Sequence, residues 1–427
     1  MEFISTIKNR WKFFLIVSSF WCLFLVLSLN QNLNLADNTQ NTEQEFANST
    51  ANPNDILQKS TQIYNTHVEN PNISFNKLGK SINKSIDDQK KCNMFVGKWV
   101  YNPEEIVQYD YVSCPFIEEK MSCQKNGRPD SDYQKWRWEA KDCDIPLFDG
   151  RLMLERLRNK RLIIAGDSMN RNMWESLACL LYSSIPSSTV QVDAKNLEYK
   201  VLKAKDYNAI IEFYWSPYLM EFDANHTSGK KVLIIDQVSN NSKHWKGADV
   251  MIFNSALWWP LRGQFKKWDL LQYKGQLLED LPIDKSYEIG MKTWAKWIKQ
   301  NVDPNKTKVF FRSLSALHSG KPYCYKATQP LKDGSSNKNN FPKSMINIIE
   351  NIIKGMTNPQ VTYLNITKLS EYRIDAHPSI YKSSQWKLYT EKNLIHTYAD
   401  CNHWCLPGLP DTWNRLLYAS LFFDMGI

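Results

Sequence analysis

The stretch from Lys160 to Leu181 constrains the fold of this chain more than any other. It opens with a short apolar run, Leu162 to Ala165, with β-branched Ile163 and Ile164 in its middle, which reads as a buried strand. Met173, Trp174, Leu177, Leu180 and Leu181 then recur at helical spacing. Between the two lies Gly166-Asp167-Ser168, where the glycine allows a sharp turn. Ser168 thus falls at the end of a strand and the start of a helix, where free N–H groups can face a developing oxyanion. The turn is not a Gly-x-Ser-x-Gly elbow, because Asn170 stands two residues after the serine. A plain helix N-cap accounts for Asp167 and Ser168 equally well, since both residue types are favoured there.

Further along, strand-like and helix-like segments alternate. Tyr207–Trp215, Lys231–Asp236, Ala248–Asn254, Lys308–Arg312 and Val361–Ile366 are predicted strands. Gly150–Asn159, Tyr287–Val302 and Met345–Ile353 are predicted helices. Such alternation predicts an α/β sandwich with a mostly parallel sheet, and in that architecture function belongs at the carboxyl ends of the strands. Ser168 and Asn254 both fall at such ends.

The N-terminus has a different character. Lys8, Arg10 and Lys12 precede an uncharged apolar run, residues 13–29, of about seventeen residues, short for a membrane span. The basic flank predicts a cytosolic tail over residues 1–12 and a translocated remainder. No small-x-small cleavage site follows cleanly, so a retained type II anchor is expected over a cleaved signal peptide. Residues 30–90 are rich in Asn, Gln, Ser, Thr and Asp, and read as a flexible luminal stem before a luminal domain at 91–427. Asn48, Asn72, Asn83, Asn225, Asn240, Asn305 and Asn365 open glycosylation sequons, in keeping with a luminal body.

Cysteine usage points the same way. Cys22 lies in the apolar run; the other eight are Cys92, Cys114, Cys123, Cys143, Cys179, Cys324, Cys401 and Cys405. An even number beyond a translocation signal predicts four disulfides, with 105 connectivities open. No metal is expected, because zinc sites show paired Cys spacings and most of these stand alone. Four of the eight fall between Cys92 and Asp149, an aromatic, turn-rich region that reads as a stapled segment packed on the main body. The net charge of +9 is modest for 427 residues, and no stretch has the basic density of a nucleic-acid footprint. Sixteen tryptophans admit a carbohydrate partner through ring stacking, against the plainer reading that most are packing.

Near the C-terminus, Asp400-Cys-Asn-His403 spaces a carboxylate and an imidazole three apart, the orienter and base of a Ser-His-Asp arrangement. His318 and His377, which also follow predicted strands, are the rivals for the base.

Gly166-Asp-Ser-Met-Asn-Arg-Asn-Met-Trp-Glu-Ser176, Asn126-Gly-Arg-Pro-Asp130 with Trp136-Arg-Trp138, Val250 to Trp259, and the run from Asp400 to Trp413 together resemble the plant trichome-birefringence-like family of polysaccharide O-acetyltransferases. The resemblance implies an SGNH/GDSL-esterase-like α/β/α sandwich, a Golgi membrane location and acetyl transfer to a cell-wall polysaccharide. It implies Ser168 as nucleophile, His403 as base and Asp400 as its orienter. The Ser168 N–H and Asn254 would form the oxyanion hole, and Gly166, Asp167, Arg171, Trp258 and Trp259 would line the motif and acceptor groove. Many members carry Gly-His before the paired tryptophans; Ala256-Leu257 here, with Leu369-Ser-Glu-Tyr-Arg373 and Asp375-Ala-His377, is more similar to the xylan-acetylating branch. No bound cofactor is expected, only an acetyl donor, acetyl-CoA or a derived luminal donor. Other Golgi acetylation proteins are candidate partners. The same triad would serve transfer to xyloglucan, mannan or pectin in place of xylan, or an esterase with water as acceptor, and the aromatic content would serve a non-catalytic polysaccharide binder.

Overall fold

The computed structural model describes residues 92–261, 266–332, 341–392 and 394–423. The expected tail, membrane span and stem, and the sequons at Asn48, Asn72 and Asn83, lie outside them. Among the described residues no helix is long and apolar enough to cross a membrane.

Strands β1 (Gly97–Tyr101) and β2 (Trp136–Ala140) form an antiparallel pair that sets Trp99 opposite Trp138. After helix α1 (Gly150–Arg156) comes β3 (Arg161–Gly166), then α2 (Ser168–Tyr182). The chain continues through β4 (Val190–Asp193), β5 (Tyr199–Ala204) and β6 (Ala209–Trp215). Next come β7 (Met220–Asp223), β8 (Val232–Val238) and β9 (Val250–Phe253). Strands β10 (Leu270–Tyr273) and β11 (Gln276–Leu278) lead to α3 (Ile283–Asn301) and β12 (Lys308–Arg312). Helix α4 (Lys343–Lys354), β13 (Val361–Leu364) and α5 (Leu409–Phe422) follow.

The main sheet has the order β13-β12-β9-β3-β6-β5-β4. The five strands from β13 to β6 run parallel, and β5 and β4 extend the sheet antiparallel. Strand β3 therefore has a parallel neighbour on each side, and its alternating side chains serve two cores. Leu162 and Ile164 face a core with Met173 and Leu177 of α2 and Leu417 of α5. Ile163 and Ala165 face the other, with Met291 and Trp294 of α3 and Met345 of α4. These two helical layers on one sheet are the predicted sandwich.

The structure departs from the sequence reading at several places, among them the following three. Lys231–Asp236, taken as a strand of the parallel sheet, lies mostly within β8 of a separate four-stranded sheet, β11-β10-β8-β7. The Tyr207–Trp215 strand starts at Ala209, because Asn208 adopts a left-handed conformation (φ 47°) that closes the preceding turn. Helix α5 has no counterpart in the sequence pattern; the Pro and Gly density before it masks its start, although Pro410 suits the first helical turn.

The eight described cysteines form four disulfides, Cys92–Cys143, Cys114–Cys179, Cys123–Cys405 and Cys324–Cys401. The N-terminal segment is thus stapled to itself, to α2 and to the stretch just before α5. Among the described tryptophans none is exposed, and Trp138, Trp174, Trp245, Trp259, Trp294, Trp404 and Trp413 are wholly enclosed. Most of the tryptophan content is therefore packing.

Candidate active site

The site forms where β3 and β9 end beside α2. Asp167 caps α2, its carboxylate accepting from the Met169 N–H at 2.9 Å, so Ser168 opens the helix. Burial raises the Asp167 carboxyl, and the guanidinium of Arg312 is the largest influence opposing that rise. Gly166 has φ +156°, and a Cβ there would overlap the Asn254 side-chain oxygen. A close backbone approach therefore requires this glycine.

Asp400 and His403, 232 and 235 residues beyond Ser168, come back to the same place. The Ser168 Oγ stands 2.8 Å from His403 Nε2, and His403 Nδ1 stands 2.7 Å from Asp400 Oδ2. The other oxygen of Asp400 accepts from the backbone N–H groups of Asn402 and His403, each at 3.0 Å. Burial pulls the Asp400 carboxyl upward, but His403 and these two N–H groups outweigh it and hold it well below the usual carboxylate range. It therefore stays ionised and accepts the His403 Nδ1–H, which leaves Nε2 as the acceptor facing Ser168.

The loop that carries His403 is fastened on several sides. Cys401 and Cys405 are both disulfide-bonded, and Asp400 pairs through its backbone with Ser379. Trp404 is fully buried, and its indole donates to Ser315 Oγ at 2.8 Å. On α2, Asn172 bonds the backbone of Trp404, and Asn170 links the Ala165 carbonyl to Arg312 Nε. None of Asn170, Asn172 or Arg312 was singled out from sequence. The available signal was the placement of two asparagines in a helix otherwise apolar enough to be buried.

The remaining expected residues fall as follows. Asn254 ends β9, 1% exposed; its Oδ1 accepts from the Asp167 N–H at 3.3 Å and its Nδ2 lies 3.4 Å from Asp167 Oδ2. It braces the turn beside Ser168. Arg171, one helical turn from Ser168, pairs with Glu118 at 2.6 Å and lies over the Trp215 ring. Trp258 is partly buried, edge-on to Trp215 and Tyr218, beside an open pocket that both Trp215 and Trp258 line. Trp259 corrects the groove expectation. It is wholly buried, with Tyr218, Tyr287 and Gly290 packed on its ring, so it has no face to offer a sugar. Its aromatic bulk belongs to the core that also holds Met291 and Trp294 of α3. His318 and His377 are not rivals for the base, since both are buried beneath the loop and hydrogen-bonded to each other. Of the four described sequons, Asn225, Asn240 and Asn305 are exposed and Asn365 is half-buried. Among the described residues no cluster of His, Cys, Asp and Glu has the arrangement of a metal site.

Comparison with known proteins places the chain in a family. Residues 145–420 match the PC-Esterase family, described as a GDSL/SGNH-like acyl-esterase family found in Pmr5 and Cas1p, and residues 90–144 match the PMR5 N-terminal domain. The chain is 42% identical to protein trichome birefringence-like 3 of Arabidopsis thaliana, over 78% of this chain and 80% of that protein. It is 39% identical to probable xylan O-acetyltransferase 8 of rice, over 78% of each. It is 38% identical to rice xylan O-acetyltransferase 7, over 77% of this chain and 59% of that one. A nucleophile-ready serine at the end of the central strand, a histidine and an aspartate returned to it from the far end of the chain, and these matches over most of its length make this chain a member of the GDSL/SGNH-like PC-esterase family.

Proposed function

We propose that this chain is an O-acetyltransferase that moves an acetyl group, through an acetyl-serine intermediate, onto hydroxyls of a plant cell-wall polysaccharide, with xylan as acceptor. The observation that carries the reading is the continuous chain of contacts from Ser168 Oγ through His403 to Asp400. The names of the rice relatives support xylan.

In the first half-reaction His403 Nε2 takes the Ser168 hydroxyl proton, and Oγ attacks the carbonyl carbon of an activated acetyl group. The tetrahedral oxyanion is met by the Ser168 N–H, which has no helical partner at the head of α2, and by the amide hydrogen of Asn254 not directed at Asp167. Collapse expels the donor's leaving group, which takes the proton from His403. In the second half-reaction His403 takes the proton of a sugar hydroxyl, whose oxygen attacks the acetyl-serine; collapse restores Ser168 and returns its proton. Arg171, Trp215 and Trp258, which cluster together beside an open pocket, are the candidates for contacting the acceptor. The donor is acetyl-CoA or a luminal derivative of it. The basic-flanked apolar run, the sequons and the disulfides support a type II Golgi membrane protein with its catalytic domain in the lumen, acting beside other acetylation proteins.

Intact mass and peptide mapping of the full-length protein after brief exposure to acetyl-CoA or p-nitrophenyl acetate test the reading. An acetyl group on the Ser168 peptide that passes to added xylan oligosaccharide is the expected result. Equally fast loss to water alone would make the protein an esterase. Oligosaccharide binding with no adduct from either donor would favour a non-catalytic binder.

A further inference from the structure

Beneath the catalytic loop lies a buried pair of imidazoles that the reaction does not use. His318 is 0% and His377 1% exposed. His318 Nε2 stands 2.9 Å from the Glu371 carbonyl oxygen, and His377 Nδ1 stands 2.6 Å from the carbonyl oxygen of His403 itself. Between the rings, His318 Nδ1 and His377 Nε2 are 2.6 Å apart. Carbonyl oxygens only accept, so the two outer nitrogens must each carry a hydrogen. A hydrogen bond between the two inner nitrogens requires one more. Three hydrogens on two rings amount to one imidazole and one imidazolium. Two neutral rings would leave two lone pairs facing each other well inside van der Waals contact.

We propose that His318 and His377 share one proton and, as a singly charged pair, position the His403 backbone for proton transfer with Ser168. The surroundings suit one positive charge. Trp404 stacks on His377 with centroids 3.9 Å apart and planes 22° from parallel, which places a cation on an indole face. Asp375 and Asp400 lie on the favourable side, although Asp375 is paired with Arg373 and Asp400 with His403. Arg128 opposes the charge, donating to the His377 carbonyl at 3.1 Å while paired with Asp130. Burial pushes both imidazoles down, and at His377 the charges of His318 and His403 add to this, so these influences oppose the shared proton as well as a second one; the 2.6 Å contact between the rings is what the first proton satisfies. When the shared proton leaves at higher pH, the inner contact must open. His377 then moves relative to the His403 carbonyl and the Trp404 ring, and the His403–Ser168 geometry loosens.

The inference rests on the reading of His403 as the base, but it has a readout of its own. In the full-length protein labelled with 15N-histidine, NMR at mildly acidic pH should show a strongly downfield N–H···N proton and one doubly protonated ring in the pair. Both should disappear as pH rises, together with a fall in kcat for acetyl transfer to xylan oligosaccharide and little change in KM. His318→Asn puts an amide N–H where Nδ1 stood, which satisfies His377 without the extra proton. It should keep the low-pH kcat within a few-fold and abolish the alkaline fall. Two singly protonated rings across the whole active pH range, or an unchanged alkaline fall in His318→Asn, would overturn the proposal. If the variant fails to fold, the NMR of the unmodified protein decides. If no acetyl transfer occurs at all, the proposed function fails while the NMR still reports on the pair.

Discussion

Asn172 holds the peptide backbone of Trp404 from both sides. Its Oδ1 accepts from the Trp404 N–H at 2.9 Å, and its Nδ2 donates to the Trp404 carbonyl at 3.2 Å. The two residues lie 232 positions apart, one in the helix that begins with Ser168 and the other next to His403. Ser168 and His403 are thus tied through one amide. Asn172→Ala leaves two buried backbone groups without partners, at a cost of about 1–3 kcal/mol each. It also frees the base to drift, and a shift of about 1 Å is worth roughly 100-fold in rate. We expect kcat to fall by about 10- to 100-fold at a temperature where circular dichroism shows the variant still folded. Unchanged kcat would remove the tie from the mechanism.

Asp400 sets which nitrogen of His403 carries the hydrogen. Asp400→Asn should lower kcat by about 10,000-fold with little change in KM, as expected when the wrong tautomer faces the nucleophile. Its carboxyl is held low in the folded protein, so its contribution to stability is present above the ordinary carboxylate range and lost as pH falls through the lowered value. Single-turnover acetylation of Ser168 is the measurement that isolates the tautomer effect.

Gly166 is the position in the nucleophile turn where a side chain cannot be added. Gly166→Ala meets both a positive φ and the Asn254 oxygen. We expect a loss of about 1–3 kcal/mol in stability by denaturant unfolding, and a drop in kcat larger than that of a destabilised variant elsewhere in β3.

Glu175 lies on α2, wholly buried, 3.5 Å from Lys200. Burial, with the neighbouring Glu118 carboxylate, pushes its carboxyl up to about 8. A group raised in the folded state contributes most below its unfolded value, about 4.5, and loses that contribution as pH rises through about 8. The difference in melting temperature between the parent and Glu175→Gln should therefore be flat below pH 4.5, shift in favour of the variant up to about pH 8, and level off beyond it. A difference independent of pH would show that the Glu175 carboxyl titrates alike in the folded and unfolded protein, against the raised value.

The Cys123–Cys405 disulfide closes a loop with a sequence separation of 282 and ends two residues from His403. Cys92–Cys143 spans 51 and stays within the N-terminal segment. Replacing the first pair by alanines should cost about 2–5 kcal/mol and also reduce acetyl transfer. Replacing the second should lower stability with a smaller effect on rate. Equal effects on rate would separate the disulfide from the geometry of the base.

Much of this protein is legible from local pattern. The apolar run of β3, the helical spacing after it and the glycine between them specify a strand–turn–helix unit. That unit alone determines where Ser168 stands, because strand, turn and helix are properties of adjacent residues. Asp400 and His403 likewise reveal their pairing through a spacing of three. Alternation of strands and helices specified the sandwich. The same local signals could not tell β8 from a strand of the main sheet, because a strand's pattern states its burial and not its partner. They placed Trp259 with Trp258, although one is enclosed and the other half-open, since adjacent side chains point in different directions and only packing decides which face is solvent. They did not indicate which cysteine meets which. Nor did they show that Asn172 holds Trp404, or that His318 and His377 meet beneath His403. Each of these joins residues far apart in the chain, and such contacts are chosen when buried polar groups must find partners as the layers close on one another.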